Sequence, residues 1–339
     1  MNPQIALIIP MFNSSAWLHE TLASVQEQTM EAWECILVDD GSTDNTWTIA
    51  QDFVAKDKRF KVLHRPSSSP KGANACRNHG IANSSGSYLI FLDADDIITP
   101  DCFKKRLNAF EHHPNADALV FSTGTFSTMG QWGEVHNVDP KQESDLAYLS
   151  MFLSYKIPWQ ITNPIWKRSS LNTFDGFDEQ LMRFQDVDFH TRALLSGLRV
   201  KRIKEVDFYY RIPVENSKYQ DPKFMHKALG AMSSYIQRFG QDNSNTQWEA
   251  VMPLDKRREL LFEMLNKIVM QQLVPKRLWG WTPKFTKLAK QCNIISLQQA
   301  NAIKRFVLFK RYNLDRIKGI GLYRVYSKTL KTSKLHKVE

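Results

Sequence analysis

The sequence predicts an α/β fold with a mostly parallel central sheet flanked by helices, followed by a mainly helical, basic C-terminal region. Three observations support this prediction. Short apolar runs alternate with amphipathic segments over the first hundred residues, and three of these runs end directly in polar clusters. The hydrophobic content of 42% supplies a large core for a chain of 339 residues.

The alternation starts at the N-terminus, where Pro10 stops the first strand and Ser14 or Ser15 caps the first helix. The predicted elements in order are a strand at 4–9, a helix from about 14 to 28, a strand at 33–38, a helix around 47–53 and a strand at 60–63. This β-α-β-α-β order predicts parallel strands joined by right-handed crossovers.

A fourth strand at 88–92 has the clearest strand pattern in the chain. It follows a helix around 73–82, and a further helix starts near Thr99 and Pro100. Beyond this point the predicted elements are strands at 118–122 and 165–167, a helix at 186–196, extended segments at 200–203 and 208–211, and helices from about 220 onward, clearest at 256–273.

Charge and cysteine usage exclude several classes of protein. Residues 253–339 contain 20 Lys and Arg against 5 Asp and Glu, a net charge of +15, so the rest of the chain carries +10 − 15 = −5. The four cysteines form no CxxC pair, which argues against a disulfide framework or a zinc ribbon. Without a signal-peptide pattern or about 18 successive apolar residues, we expect a chain that is neither secreted nor membrane-spanning.

Polar clusters follow three predicted strands at 10–13, 39–42 and 93–96. Ligands of open α/β sheets bind at such carboxyl ends, near the point where the strand order reverses. Neither GxGxxG nor GxxxxGK[ST] occurs, so another group must neutralise a bound phosphate. A carboxylate that holds Mg²⁺ or Mn²⁺ does so, and Asp93 and Asp95 project to one side of an extended segment.

Four motifs occur in a specific order: Ile8-Ile9-Pro10-Met11-Phe12-Asn13, Val38-Asp39-Asp40-Gly41-Ser42-Thr43-Asp44, Ala75-Cys76-Arg77-Asn78-His79-Gly80 and Phe91-Leu92-Asp93-Ala94-Asp95-Asp96. With them the sequence resembles family 2 glycosyltransferases over about residues 4–215. The resemblance implies a GT-A fold, a nucleotide-sugar donor, a divalent cation (Mn²⁺ or Mg²⁺) and inversion at the anomeric carbon. The remainder of the chain matches no part of the family.

The resemblance also implies roles for individual residues of the donor site. Asp39 would accept from the N3–H of a uracil-type base, with Asp40 as its neighbour. Asp95 would bind the metal, and Asp93 beside it would face the ribose or share the metal. The remaining donor-binding residues would be Pro10 and Phe12 against the base, and Arg77 and Lys71 at the base or phosphates. Family members commonly have Tyr where this chain has Phe12, so stacking would remain without a hydroxyl contact.

For the acceptor side, the resemblance implies that Asp186 is the catalytic base that takes the proton of the acceptor hydroxyl. The family pattern Glu-Asp is Gln185-Asp186 here, which leaves the role of Gln185 in acceptor binding open. Asp186 as a helix cap is the alternative. Trp159 could stack on a sugar or pack in the core, and His190 could contact the acceptor or be structural.

We predict a catalytic domain at 1–215, with a nucleotide-sugar half at 1–98 and an acceptor half at 99–215, and a basic helical region at 216–339. Its function would be metal-dependent inverting sugar transfer, with a UDP-sugar favoured, to a hydroxyl of a glycan or lipid-linked glycan in cell-surface polysaccharide or lipopolysaccharide assembly. A non-catalytic nucleotide-sugar sensor and a basic nucleic-acid-binding protein are the alternatives.

The basic tail favours a cytoplasmic location at the inner face of the cell membrane. Residues 275–330 mix aromatic and basic groups, which suits an anionic membrane surface. Nucleic acid is not favoured as a partner, because no recognisable nucleic-acid-binding module accompanies the charge. A plain helical cap with solvated charges is the other interpretation.

Overall fold

The structure is a computed structural model that describes residues 2–133, 135, 139–212 and 221–312. The chain divides into two units. The first comprises Met1–Asp145 and Ile157–Met225, and the second comprises Leu146–Lys156 and His226–Glu339. The predicted domain boundary at residue 215 stays a prediction.

The first unit contains a sheet of eight strands: β1 Ile5–Met11, β2 Trp33–Asp39, β3 Phe60–His64, β4 Tyr88–Phe91, β5 Ile97–Ile98, β6 Ala118–Phe126, β7 Pro164–Lys167 and β8 Val200–Arg211. Its helices are α1 Leu18–Gln26, α2 Thr46–Lys56, α3 Ala73–Ala82, α4 Cys102–His112, α6 Arg168–Leu171 and α7 Gln185–Leu195. The intervening helix α5, Asp145–Leu153, falls almost entirely within the second unit.

The strand order of the sheet is β3-β2-β1-β4-β7-β6-β8-β5. Strands β1 to β4 pair in parallel as predicted, whereas β7 pairs antiparallel with both β4 and β6, and β5 pairs antiparallel with β8. The chain first builds β1, β2 and β3 in one direction and then returns to place β4 on the other side of β1. The sheet therefore has its switch point between β1 and β4, and in open α/β sheets ligands bind in the crevice outside the carboxyl ends of the strands at such a point. The predicted α/β fold with flanking helices is confirmed.

Strand β1 continues through Pro10 to Met11, whereas the sequence predicts an end at Pro10. Proline fits there because β4 pairs with β1 only as far as Ile8, so the missing N–H of Pro10 faces no partner strand on that side. The predicted serine cap of α1 is wrong, since the N-cap is Trp17 and it has no side-chain cap hydrogen bond.

Helices cover both faces of the sheet, and the strands are buried on both sides. Helix α3 approaches β1 closely at Gly80, where an added Cβ would lie 2.5 Å from Cγ2 of Ile8. Glycine fits this approach best, because the absence of a Cβ lets the last turn of α3 lie directly against β1.

The described part of the second unit is helical. Its elements besides α5 are α8 Pro222–Gly240, α9 Thr246–Val251, α10 Leu254–Lys267, a π-helical turn at Ile268–Leu273, a 3₁₀ turn at Trp279–Trp281, α11 Thr282–Gln291 and α12 Leu297–Arg311. The first four residues of α8 belong to the first unit. A helical C-terminal region thus agrees with the prediction over the residues that the structure describes.

A fully buried ion pair joins α4 to β8. Arg106 Nε donates to Asp207 at 2.6 Å, and both side chains are 0% exposed. We expect Arg106→Leu to lower the free energy of unfolding by about 3–5 kcal/mol, because it leaves the Asp207 charge buried without compensation. Urea denaturation measures this loss. Lys105→Leu is the control, since Lys105 pairs with acids at the surface and its loss should cost less than about 1 kcal/mol. Equal losses for the two variants would contradict the prediction.

Candidate active site

The polar loops that follow β1 and β2 are joined by hydrogen bonds. Asn13 Oδ1 accepts from the Thr43 backbone N–H at 2.8 Å, and the Asn13 N–H donates to Ser42 Oγ at 3.0 Å. Asn13 has φ of 48°, a left-handed conformation that asparagine tolerates better than most residues. The two loops therefore form one surface at the carboxyl edge of the sheet.

Asp39, at the end of β2, is buried and organises the turn that follows it. Its carboxylate accepts from the backbone N–H groups of Gly41 at 3.0 Å and Ser42 at 3.1 Å, and His64 Nδ1 lies 3.6 Å away. Gly41 has φ of 82°, which this tight turn requires. The neighbouring Asp40 faces elsewhere and accepts from Arg65 Nε at 2.5 Å.

Pro10, Phe12 and Lys71, all predicted to bind the donor, occupy the rim of this edge. Pro10 is half-buried, and the ring of Phe12 is 46% exposed. Lys71 Nζ lies 3.9 Å from the centre of the Phe12 ring, within the range of a cation–π contact. An exposed aromatic face and a cation thus stand together beside the Asp39 turn.

The acidic segment after β4 is held from several sides. Arg211 of β8 donates from Nε to the Asp95 carbonyl oxygen at 2.9 Å, and its N–H donates to the Asp96 carboxylate at 3.0 Å. Thr21 Oγ1 donates to the Ala94 carbonyl oxygen at 3.1 Å. Asp93 and Asp95 remain partly exposed, whereas Asp96 is buried. Burial and the charges of Asp93 and Asp95 raise the pKa of Asp96 well above its usual range, so Asp96 is a structural member of the segment.

Arg77 of α3 connects the donor side to the start of α7. Its Nη2 donates to Asp93 Oδ1 at 2.8 Å, and its Nη1 lies 3.4 Å from Gln185 Oε1. The side chain is 5% exposed and packs against the ring of Phe177. Arg77 thus contacts protein groups of both the acidic segment and the start of α7, and its predicted contact with a base or phosphate stays a prediction.

Asn74 and Asn78, which sequence reasoning missed, hold the 176–181 loop against α3. Asn78 Nδ2 donates to the Phe177 carbonyl oxygen, its Oδ1 accepts from the Phe177 N–H, and both distances are 2.8 Å. Asn74 Nδ2 donates to the Asp178 carbonyl oxygen at 2.7 Å. The two asparagines lie one helical turn apart, a spacing that could have indicated a shared partner loop.

We expect Asn78→Ala to lower the free energy of unfolding by about 1–3 kcal/mol, because the substitution leaves the buried backbone N–H and carbonyl of Phe177 without their hydrogen-bond partners. Thermal or chemical denaturation of the full chain measures the effect. Asn83→Ala, at the exposed end of the same helix, serves as the control with an expected change within about 0.5 kcal/mol. A loss for Asn78→Ala no larger than the control's would show that the loop is held by other contacts.

Helix α7 starts with an unusual backbone geometry that places Gln185 and Asp186 at its first turn. The N-cap residue Phe184 has φ of 62°, a left-handed conformation that is rare for a bulky side chain. Asp186 is half-buried, and its Oδ1 accepts from the Val187 N–H at 2.9 Å. Burial and the charge of Asp93 raise the pKa of the Asp186 carboxyl, although the Val187 amide and Arg77 act in the opposite direction.

The expected acceptor contacts of Trp159 and His190 gain no support from the structure. Both side chains are buried, and the His190 ring is stacked with Trp166 at a centroid distance of 6.0 Å. Burial lowers the pKa of His190 to about 3, so the ring is neutral. The structural alternatives considered for both residues fit their burial better. Gln185, in contrast, is half-buried, and its Nε2 donates to the Leu181 carbonyl oxygen at 2.9 Å.

Residues 6–177, just over half of the chain, match the family model described as glycosyl transferase family 2. The chain belongs to this family. Its interpretation as a glycosyltransferase is thereby confirmed. The match covers the Asp39 turn, the acidic segment and α3, and it ends before Gln185 and Asp186.

Among similar proteins is the minor teichoic acid biosynthesis protein GgaB of Bacillus subtilis (strain 168), which is 26% identical over 218 residues. The matched region is 64% of this chain and 24% of GgaB, so the chain spans about a quarter of the length of that relative.

Two solved structures share the fold. S. aureus TarS 1-349 in complex with UDP-GlcNAc has a TM-score of 0.62 at 18% identity, with 98% of this chain and 92% of that chain covered. A mannosyltransferase from Pyrobaculum calidifontis, in complex with GDP-Man and Mn²⁺, has a TM-score of 0.52 at 13% identity, with 94% and 89% covered.

The donor set at the acidic segment suits a hard divalent cation. The part of the chain that the structure describes contains no cluster of three His, Cys, Asp or Glu side chains arranged for a metal ion. Mg²⁺ and Mn²⁺ accept oxygen ligands, and Mg²⁺ is commonly held by one or two carboxylates together with substrate phosphates. Asp95 and Asp93 supply such carboxylates at a partly exposed position, so the residues fit an ion that the donor helps to hold.

Proposed function

We propose that this glycosyltransferase transfers a sugar, with inversion, from a nucleotide diphosphate donor to a hydroxyl of a glycan acceptor, in a metal-dependent reaction with a UDP-sugar as the favoured donor. One observation carries the proposal. The Asp39 turn, the Asp93–Asp95 segment and the start of α7 converge on the switch point of the sheet, with Arg77 joining the last two. The carboxylates that would bind the nucleobase, hold the metal ion and accept the proton of the acceptor therefore lie at one edge of the sheet.

On the donor side, Asp39 would accept from the N3–H of the base, and Phe12 would stack on it, supported by Pro10. Asp40 keeps Arg65 in place, and Lys71 adds positive charge beside the ring. Arg77 fixes the orientation of the Asp93 carboxylate, which would face the ribose.

Asp95, with Asp93 beside it, would hold Mn²⁺ or Mg²⁺. The bound cation would neutralise charge on the departing diphosphate. A metal-dependent donor complex is in keeping with the Mn²⁺ present in the mannosyltransferase structure.

Asp186 would act as the general base. Its carboxylate would accept the proton of the acceptor hydroxyl as the oxygen–carbon bond to the sugar forms, while the bond between the anomeric carbon and the phosphate oxygen breaks. The nucleoside diphosphate leaves with the electron pair from the face opposite the attack, which gives inversion. Gln185, held by Arg77 and Leu181, would place an amide rather than a second carboxylate beside the base and the acceptor.

For the acceptor, we favour a glycan or lipid-linked glycan in cell-surface polysaccharide or lipopolysaccharide assembly. The teichoic acid function in the name of GgaB supports a cell-surface polymer. Such an acceptor would place the enzyme in the cytoplasm, at the inner face of the cell membrane.

A thermal-shift panel of UDP, GDP and their sugars, each with Mn²⁺ or with EDTA, tests the donor. A nucleotide present at 100 times its Kd should add about 2.7 kcal/mol to the free energy of unfolding. We expect UDP and UDP-sugars to stabilise the protein in the presence of Mn²⁺ but not in the presence of EDTA. Stabilisation by GDP-linked compounds alone would overturn the preference for uracil, and binding without any turnover of a panel of acceptors would favour the nucleotide-sugar sensor.

A further inference from the structure

The helices α11 and α12 pack against each other and carry an unusually one-sided charge. No Asp or Glu occurs between Glu263 and Asp315, while residues 275–312 contain nine Lys and Arg. Residues 313–330 of the predicted membrane-binding stretch lie outside the described residues. The remaining part, 275–312, still carries a net charge of +9.

Helix α11 turns a row of lysines outward. Lys284, Lys287 and Lys290 recur every third residue and are all exposed, whereas Phe285 and Ala289 on the opposite side are buried. Within the described ranges, no ion pair connects any of these three lysines to an acid. Their charges therefore act together on whatever approaches this face.

Helix α12 presents leucine and basic side chains together on its own exposed face. Leu297, Lys304, Leu308 and Arg311 follow one another at intervals of one or two turns, and Tyr312 continues this face at the C-cap. Leu297, Leu308 and Tyr312 are 60%, 49% and 60% exposed. The opposite face is buried through Ala300, Ile303, Phe306 and Val307. The exposed Leu297 and Leu308 are therefore not needed for the core of the helical pair.

We propose that the outer faces of α11 and α12 bind the surface of a bilayer that contains anionic lipids. Lysine and arginine would lie at the level of the lipid head groups, while Leu297 and Leu308 enter the boundary between head groups and acyl chains. Among the described helices none is long and apolar enough to cross a bilayer.

The exposed leucines favour lipid over nucleic acid as the occupant. The lysine row could bind the phosphates of either partner. The exposed leucines would stay in water against a phosphate backbone, whereas the acyl chains of a bilayer would bury their apolar surface. The charge difference along the chain sets which part approaches the bilayer: residues 1–252 carry a net charge of −5, so an anionic surface would repel them and attract the basic pair. The proposal concerns attachment and stands independently of the donor chemistry.

Co-sedimentation of the full chain with vesicles tests the proposal. Phosphatidylcholine vesicles with about 30% phosphatidylglycerol should bind the protein at about 0.1 M salt, and pure phosphatidylcholine should not. The triple variant K284Q/K287Q/K290Q should bind on the order of 100-fold more weakly, at about fivefold for each lysine removed. The matched control K56Q/K58Q/K104Q removes three exposed lysines of the first unit and should change binding less than about threefold.

A second variant, L297Q/L308Q, preserves every charge and should still weaken vesicle binding about tenfold or more. Both leucines are exposed, so its melting temperature should equal that of the wild type. The proposal is overturned if neutral and anionic vesicles bind equally, if both lysine triples behave alike, or if duplex DNA or RNA binds more tightly than the anionic vesicles and is insensitive to L297Q/L308Q. UDP–Mn²⁺ thermal shifts on the same samples report separately on the donor site.

Discussion

Asp186→Asn is expected to lower kcat for sugar transfer by about 10²–10⁴-fold while leaving donor binding unchanged. The amide keeps the size of the side chain and its hydrogen bond from the Val187 N–H, but it cannot accept the proton of an acceptor hydroxyl. Initial rates and donor Kd, measured on the same preparation, separate the two effects. Asp175→Asn, an exposed neighbour of equal charge, is the control and should retain nearly full activity. If Asp186→Asn transfers sugar at the wild-type rate, the base is another group.

The pH profile of the wild type gives a second test of the same assignment. A general base acts as its carboxylate, so activity is present above its pKa and is lost as the pH falls through that value. Because burial and Asp93 raise the pKa of Asp186, the acidic limb of kcat/KM should lie above the range of an ordinary aspartate. Arg77→Gln removes a positive charge that opposes this shift and should move the limb to still higher pH. A limb at the ordinary aspartate value, unaffected by Arg77→Gln, would contradict the role of Asp186.

The sheet and its polar edge were predictable because they follow from local patterns. Strands β1, β2 and β4 are short and largely apolar, and the acids at the end of β2 and after β4 stand where the chain leaves the sheet. The antiparallel pairing of β7 was not predictable in this way, because it depends on which strand the chain meets after a long excursion, and no periodicity encodes that choice.

The directions in which the Arg77 and His190 side chains point show the same limit at the site. The sequence identifies which side chains can take part in chemistry. The direction in which each side chain points depends on neighbours that are distant in sequence. Arg77 turns inward because Asp93 and Gln185 lie on either side of it, 16 and 108 residues away. His190 is buried because α7 packs its inner face on the sheet, where Trp166 lies. Neither outcome follows from the spacing of residues along one helix.

Asp95→Ala is expected to abolish the metal dependence of donor binding and to reduce transfer by about 10²–10³-fold or more. The described residues include no group of three acidic, cysteine or histidine side chains placed to hold a metal ion, and Asp96 is buried. Loss of Asp95 would therefore leave the ion with Asp93 alone, whose carboxylate already pairs with Arg77. A cation that neutralises the departing diphosphate contributes several kcal/mol to the transition state, on the order of 10²–10³-fold in rate.

Calorimetric titration of UDP with Mn²⁺ or EDTA distinguishes this effect from a loss of folding. Asp95→Ala in Mn²⁺ should resemble the wild type in EDTA, and adding EDTA to the variant should change nothing further. Asp52→Ala, which removes an exposed acid from α2, should keep the full response to the metal. If the variant still binds UDP more tightly when Mn²⁺ is added, the ion is held elsewhere. The acidic segment would then contact the ribose alone, and metal and sugar would have to be assigned to other residues of the crevice.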